Sequence, residues 1–244
     1  MAVGFFTQGI EFTLPHPPIP QRTILLLCKV IRHAWQLLAD NPPENFHLQS
    51  ANEDVITQIL VEIIENRLRK NGEVTGFNHA FFGKVFRGPE ITNFDKNHPD
   101  KVPDIFFDLK REKCPVYSDQ DGLFVECKPV DSDHPLSSCY CQKGLIRFVN
   151  GDYAWAMQDS MMVGYVTGGY TFKKLAAILN DDKLSASLKT KNHSEIMEHS
   201  IYCSSHKREF DWLANHGPAC TISVTHLWLQ TCFYNCLEFR GQHT

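Results

Sequence analysis

The stretch VPDIFFDLKREKCPVYSDQDGLFVECKPV, residues 102–130, constrains this chain more than any other. Two apolar runs, Ile105-Phe106-Phe107 and Leu123-Phe124-Val125, are joined by a polar, turn-rich connector, which is the pattern of an antiparallel hairpin. Side chains two apart on a strand share a face, so Glu126 and Lys128 project together while Val125 and Cys127 point the other way. If the two runs pair, Asp104, which follows Pro103 at the mouth of the first, comes to lie beside Glu126. A strand carrying Phe, Val and Cys reads as mostly buried, and charged side chains in such a place need partners or a task.

Two carboxylates that approach closely repel each other unless something neutralises them, and a hard divalent cation is the usual solution. Magnesium suits a site of one or two carboxylates because it keeps several of its waters, and manganese can take its place. A cation held there orients water and polarises a phosphoryl group, while Lys128 can position or deprotonate that water or neutralise charge. The plain alternative is that Asp104 caps a turn and that Glu126 and Lys128 form a surface ion pair of little energetic weight.

At Pro103-Asp104 and Glu126-Cys127-Lys128 the chain resembles the PD-(D/E)XK nuclease superfamily, the restriction-endonuclease-like fold. The resemblance covers about residues 50–167, and its specificity lies in the hairpin. It implies an α/β fold in which a mixed central sheet is flanked by helices, with an αβββαβ core. Residues 1–49 would add an N-terminal helical extension and residues 168–244 a C-terminal extension with a β-hairpin, all in one domain spanning 1–244. It also implies a magnesium-dependent endonuclease acting on DNA, RNA being an open alternative, with Asp104 and Glu126 as metal ligands, the backbone carbonyl of Cys127 as a further one, and Lys128 acting on the attacking water. Such enzymes commonly work as homo-oligomers, some with an activating partner or effector, in settings that include restriction and antiviral defence. A catalytically inactive member that binds nucleic acid or a protein partner is the competing reading; the intact Asp, Glu and Lys set argues against it.

Other positions follow from the same comparison. Many members carry a glutamate on the helix before the hairpin, and Glu53 is placed for it, although Ser50 with Glu53 three residues later is also a capping-box pattern. Glu62 and Glu65 are weaker candidates. In several of these families the helix after the lysine strand supplies a glutamine and basic residues. Gln142, Lys143 and Arg147 share a helix face here, but Ile146 stands where the RecB-like version has tyrosine. Lys84 and Arg87 flank a polar loop over residues 88–102 that can approach a phosphate backbone, scattered surface charge being the alternative.

A net charge of −4 excludes a protein that coats nucleic acid by bulk charge, but not one with a local basic groove. No secretory leader pattern and no run of apolar residues long enough for a membrane span is visible, so the sequence reads as cytoplasmic and without a membrane partner. The nine cysteines lack paired zinc-ligand spacing and read as reduced, buried thiols.

Periodicity predicts helices over about residues 22–39 and 50–70, a first strand before residue 88, and a helix capped by Ser137 or Ser138 running to about Val149. Residues 152–160 read as more helix, MMVGYVT as a strand, and Phe172 to Leu179 as a helix. Residues 180–194 have no apolar period and read as a surface loop. Two strands are expected over residues 196–210 and 221–233, the first bearing a small basic group at Ser204 to Arg208 that could hold phosphate or an effector.

Overall fold

A computed structural model describes residues 14–111, 117–212 and 217–230. The architecture is α/β, with helices packed against a seven-stranded mixed sheet.

Helix α1 spans Gln21–Asp40 and buries the stripe that its spacing predicts, Ile24, Leu27, Ile31, Trp35 and Leu38. Helix α2 spans Glu53–Ile63 and continues with wider, π-helical winding through Arg69. Its N-cap is Asn52, whose side chain accepts the Asp54 N–H at 2.8 Å, so the expected Ser50–Glu53 capping box does not form. Glu53 is engaged elsewhere, as described below. Strands β1 (Phe82–Arg87), β2 (Ile105–Leu109) and β3 (Gly122–Val130) form an antiparallel meander. The next helix is π-wound over Leu136–Leu145 and regular over Ile146–Asn150, here α3. It starts after Pro135 without a side-chain cap, so neither Ser137 nor Ser138 has the expected role. It crosses over to β4 (Asp159–Val166), which lies parallel to β3.

The predicted helix over residues 152–160 is absent. Gly151 ends α3 in the left-handed region at φ 75°, Ala154 turns again at φ 55°, and the chain loops back to the sheet. The buried Arg208 braces this loop by donating to the carbonyls of Ala154 and Met157, at 3.0 and 2.8 Å, and to that of Cys220 at 2.8 Å. Two of these bonds satisfy carbonyls of the loop itself, which an irregular segment must have when it is buried.

Helix α4 spans Phe172–Leu179, as periodicity predicts. Residues 180–194, expected as a loop, instead contain α5 (Asp182–Ser187) and most of β5 (Thr190–Ile196). Strand β5 is the sheet's outer edge and has no buried residue, so it carries no apolar alternation for a sequence to reveal. Strands β6 (Ile201–His206) and β7 (Ile222–Gln230) pair antiparallel, and β7 lies parallel to β4, giving the order β1-β2-β3-β4-β7-β6-β5. The expected continuation of the last strand to Phe233 falls outside the described residues. The C-terminal pair therefore extends the central sheet, and α1 closes over it: Trp35 stacks on Tyr165 of β4 at 5.5 Å and its indole N–H donates to the Gln230 carbonyl at 2.9 Å.

Beneath β6 and β7 a buried polar chain crosses the core. The His206 Nδ1 is 2.9 Å from the Leu188 carbonyl, which only accepts, so Nδ1 carries the proton and Nε2 accepts from the Ser204 hydroxyl at 2.7 Å. Ser204 then accepts from His226 Nε2 at 2.7 Å, His226 Nδ1 accepts from the Tyr140 hydroxyl at 3.0 Å, and Tyr140 accepts from the Trp228 indole at 3.2 Å. All five bonds run in one direction from an obligate donor to an obligate acceptor. Both imidazoles are neutral, burial lowering His206 to about 4 and His226 to about 3. Ser204 and His206, which from sequence could equally hold phosphate or an effector or lie on a charged surface strand, are thus buried structural groups.

Candidate active site

The register of the hairpin builds the site. Ile105 lies opposite Val125, and one step further Asp104 lies opposite Glu126 on the same face. Asp104 is locked there because its Oδ2 accepts the Cys127 N–H at 2.7 Å. On β3 the side chains alternate as expected. Cys127 is buried toward the α1–α2 side, where the Thr57 and Tyr165 hydroxyls meet at 2.8 Å, while Glu126 and Lys128 face the Leu136–Asn150 helix. Gly144 lets that helix pack closely: a Cβ there would lie 2.7 Å from Met162 Cε and 3.3 Å from Lys128 Cγ.

Four oxygen sources converge on the Lys128 ammonium. Its Nζ lies 2.9 Å from Glu126 Oε1, 2.9 Å from Glu53 Oε1, 3.6 Å from Asp104 Oδ2 and 2.6 Å from the Cys127 carbonyl. Glu53 reaches this point from the first turn of α2, where the helix dipole favours its negative charge. Burial opposes the charge on Lys128, but Glu126, Asp104 and Glu53 outweigh it and raise its pKa. Burial raises Glu53, and Lys128 pulls it part of the way back.

Glu126 is fully buried. Burial first and Asp104 second push its pKa up to about 7, against the pull of Lys128, Arg147 and Tyr153. Arg147 Nη1 is 3.1 Å from Oε1, and the Tyr153 hydroxyl donates a short hydrogen bond to Oε2. Arg87 joins the cluster's edge, with Nη2 at 2.6 Å from Asp54 Oδ1 and Nη1 at 3.7 Å from Asp104 Oδ1. Four carboxylates (Glu53, Asp54, Asp104, Glu126) thus face three cations (Lys128, Arg87, Arg147). The cluster is one positive charge short of neutral, which adds to the burial that keeps the proton on Glu126.

The residues singled out from sequence therefore divide. Asp104, Glu126, Lys128, Glu53 and the Cys127 carbonyl meet at one point. Arg147 and Arg87, read as nucleic-acid contacts, are engaged by carboxylates of the cluster, although each keeps some exposed surface. Lys143 lines an open cavity of about 550 Å³ with Glu53, Lys128, Asn52 and His134, which gives solvent a path to the ammonium. Gln142 is exposed and is not in that lining, and Lys84 is exposed on β1. Glu65 pairs with Arg69 and accepts the Val85 N–H at 3.0 Å, and Glu62 bonds Gln58 at 2.7 Å, so both are occupied outside the cluster. Tyr153 escaped the sequence reading because it contacts Glu126 across 27 residues and belongs to no local pattern.

The donors are hard oxygens with surplus negative charge, and Glu126 Oε1 makes no aligned hydrogen bond, only ionic contacts. Such a set fits magnesium. Among the described residues no group of three or more His, Cys, Asp and Glu is gathered as a ligand cage, and the ammonium of Lys128 lies between the carboxylates. Also among the described residues, no helix is long and apolar enough to cross a membrane. Compared with known protein families, characterised proteins and solved structures, the chain matches none.

Proposed function

We propose that this protein is a metal-dependent nuclease of the PD-(D/E)XK type, hydrolysing phosphodiester bonds in DNA. The observation that carries the reading is the meeting of Asp104, Glu126, Glu53 and the Cys127 carbonyl at Lys128 beside an open cavity. The element order α2-β1-β2-β3-helix-β4, with β4 parallel to β3 and the acidic groups on the hairpin, supports the αβββαβ core that the resemblance implies.

In this reading Asp104 and Glu126 hold magnesium, with the Cys127 carbonyl and Glu53 as further donors. When bound, the ion supplies a polarised water and neutralises charge on the phosphoryl oxygens. The chain's own residues do the rest. Lys128 presents a positive charge at the reacting phosphate, of the kind worth most in a site shielded from water. Tyr153 and Arg147 fix the rotamer of Glu126, and the Cys127 N–H fixes that of Asp104. Lys143 faces the cavity through which a negatively charged backbone would approach.

One observation favours a second reading. Glu126 already has Tyr153, Arg147 and Lys128 around it, which is how a self-neutralising structural cluster in a binding module would look. Incubating the protein with supercoiled plasmid and with single-stranded RNA, in magnesium and in chelator, separates the two. A nuclease nicks the plasmid only with magnesium; cleavage confined to RNA reassigns the substrate. Failure to cleave either one, together with no effect of magnesium on stability, refutes the nuclease and leaves the binding module.

A further inference from the structure

A second cavity, of about 440 Å³, opens at the other end of β2 from the catalytic cluster. Asp104 precedes the strand and Lys110-Arg111 follow it, so the two places are about 20 Å apart at strand rise. Its volume is that of a small-molecule site. Three cations line it, Arg22, Lys110 and Arg111, in a chain whose net charge is −4. Arg111 is held in place by Asp121 Oδ1 and the Pro17 carbonyl, both at 2.9 Å, and so its charge is partly answered. Lys110 donates only to the His79 carbonyl, and Arg22 is exposed, with no hydrogen bond or ion pair among the described residues. The remaining wall is apolar, from Pro20, Leu26, Phe82 and Leu109, and Phe81 stands at the cavity 62% exposed.

Phe81 offers an open aromatic face, Lys110 is partly answered by the His79 carbonyl and Asp108, and Arg22 beside them keeps its charge unpaired among the described residues. An apolar, flat body with an anionic group satisfies both. We infer that this cavity binds a free nucleoside monophosphate, its base stacked on Phe81 and its phosphate on Arg22 and Lys110. Stacking of a base on an aromatic side chain and charge-assisted bonds to phosphate are the two interactions such a ligand needs. Separation from the catalytic cluster makes it an effector position rather than part of the cleavage site, and it stands whether or not the chain is a nuclease.

Calorimetric titration of the whole protein in chelator, with adenosine 5′-monophosphate, inorganic phosphate, adenosine and a short single-stranded oligonucleotide as separate titrants, tests this. The monophosphate should bind, and Arg22→Ala and Phe81→Ser should each weaken it about tenfold or more. Both side chains are exposed, so neither change threatens the fold. Lys143→Ala, an exposed change at the other cavity, should leave the affinity unchanged, which separates the two sites. The inference is overturned by no binding of the monophosphate, by equal affinity in Arg22→Ala and Phe81→Ser, by phosphate binding as tightly as the nucleotide, or by an oligonucleotide that binds more tightly through the same residues.

Discussion

Replacing Glu126 with glutamine should make the metal-free protein more stable at alkaline pH. The carboxyl is fully enclosed, and burial with Asp104 moves its pKa from 4.5 to about 7. The folded chain thus binds this proton more tightly than the unfolded one, so stability falls as pH rises from 4.5 to 7. Above pH 7 the ionised group costs about 3 kcal/mol, at about 1.4 kcal/mol per pH unit of displacement. Glutamine keeps the shape and an oxygen to accept from Tyr153, but never ionises. In chelator at pH 8, Glu126→Gln should therefore gain about 3 kcal/mol, or ~6–12 °C in Tm for a chain of this size. The gain should shrink through pH 6 and vanish near pH 4.5. Urea or thermal unfolding of both proteins at the three pH values reads it directly. A variant that is equally or less stable at pH 8, or a gain that does not change with pH, would refute the claim that Glu126 is held ionised at a cost.

Other consequences of the same geometry can be measured independently. Magnesium should raise the Tm of the wild-type protein, by about 3 kcal/mol of stability at a hundredfold excess over Kd, and leave Asp104→Asn unmoved. Tyr153→Phe removes a bond that favours ionised Glu126, so in chelator the fall of stability with rising pH should extend to higher pH than in wild type, read by urea unfolding. The two buried histidines are neutral when folded and bind protons more readily when unfolded, so their contribution is full above pH 6.5 and is lost as pH drops toward 4, opposite in sign to that of Glu126; urea midpoints of Glu126→Gln, which lacks the Glu126 contribution, read it directly. Ser204→Ala breaks that hydrogen-bonded chain in its middle and should cost about 1–3 kcal/mol at pH 7 in the same assay.

What the sequence revealed and what it hid divide by range. Local spacing suffices for α1, whose stripe buries as written, and for the hairpin, whose apolar runs leave one pairing that puts Asp104 opposite Glu126. Edge strand β5 was hidden because no residue in it is buried, so hydrophobic alternation had nothing to report. The loop over residues 152–158 looked helical because the stop depends on Gly151 and the clamp on Arg208, more than 50 residues away. Glu53 read both as a site glutamate and as a cap, because its partner, Lys128, is 75 residues distant. For the same reason Arg147 read as a nucleic-acid contact and Tyr153 drew no reading; only the folded chain places both on Glu126.

The central claim is that the side chains around Lys128 break phosphate esters, and plasmid nicking by single variants tests it most directly. With matched circular dichroism spectra and magnesium present, Glu126→Ala and Lys128→Ala should each nick supercoiled DNA at least ~100-fold more slowly than wild type. Wild-type rates from both folded variants would contradict the account.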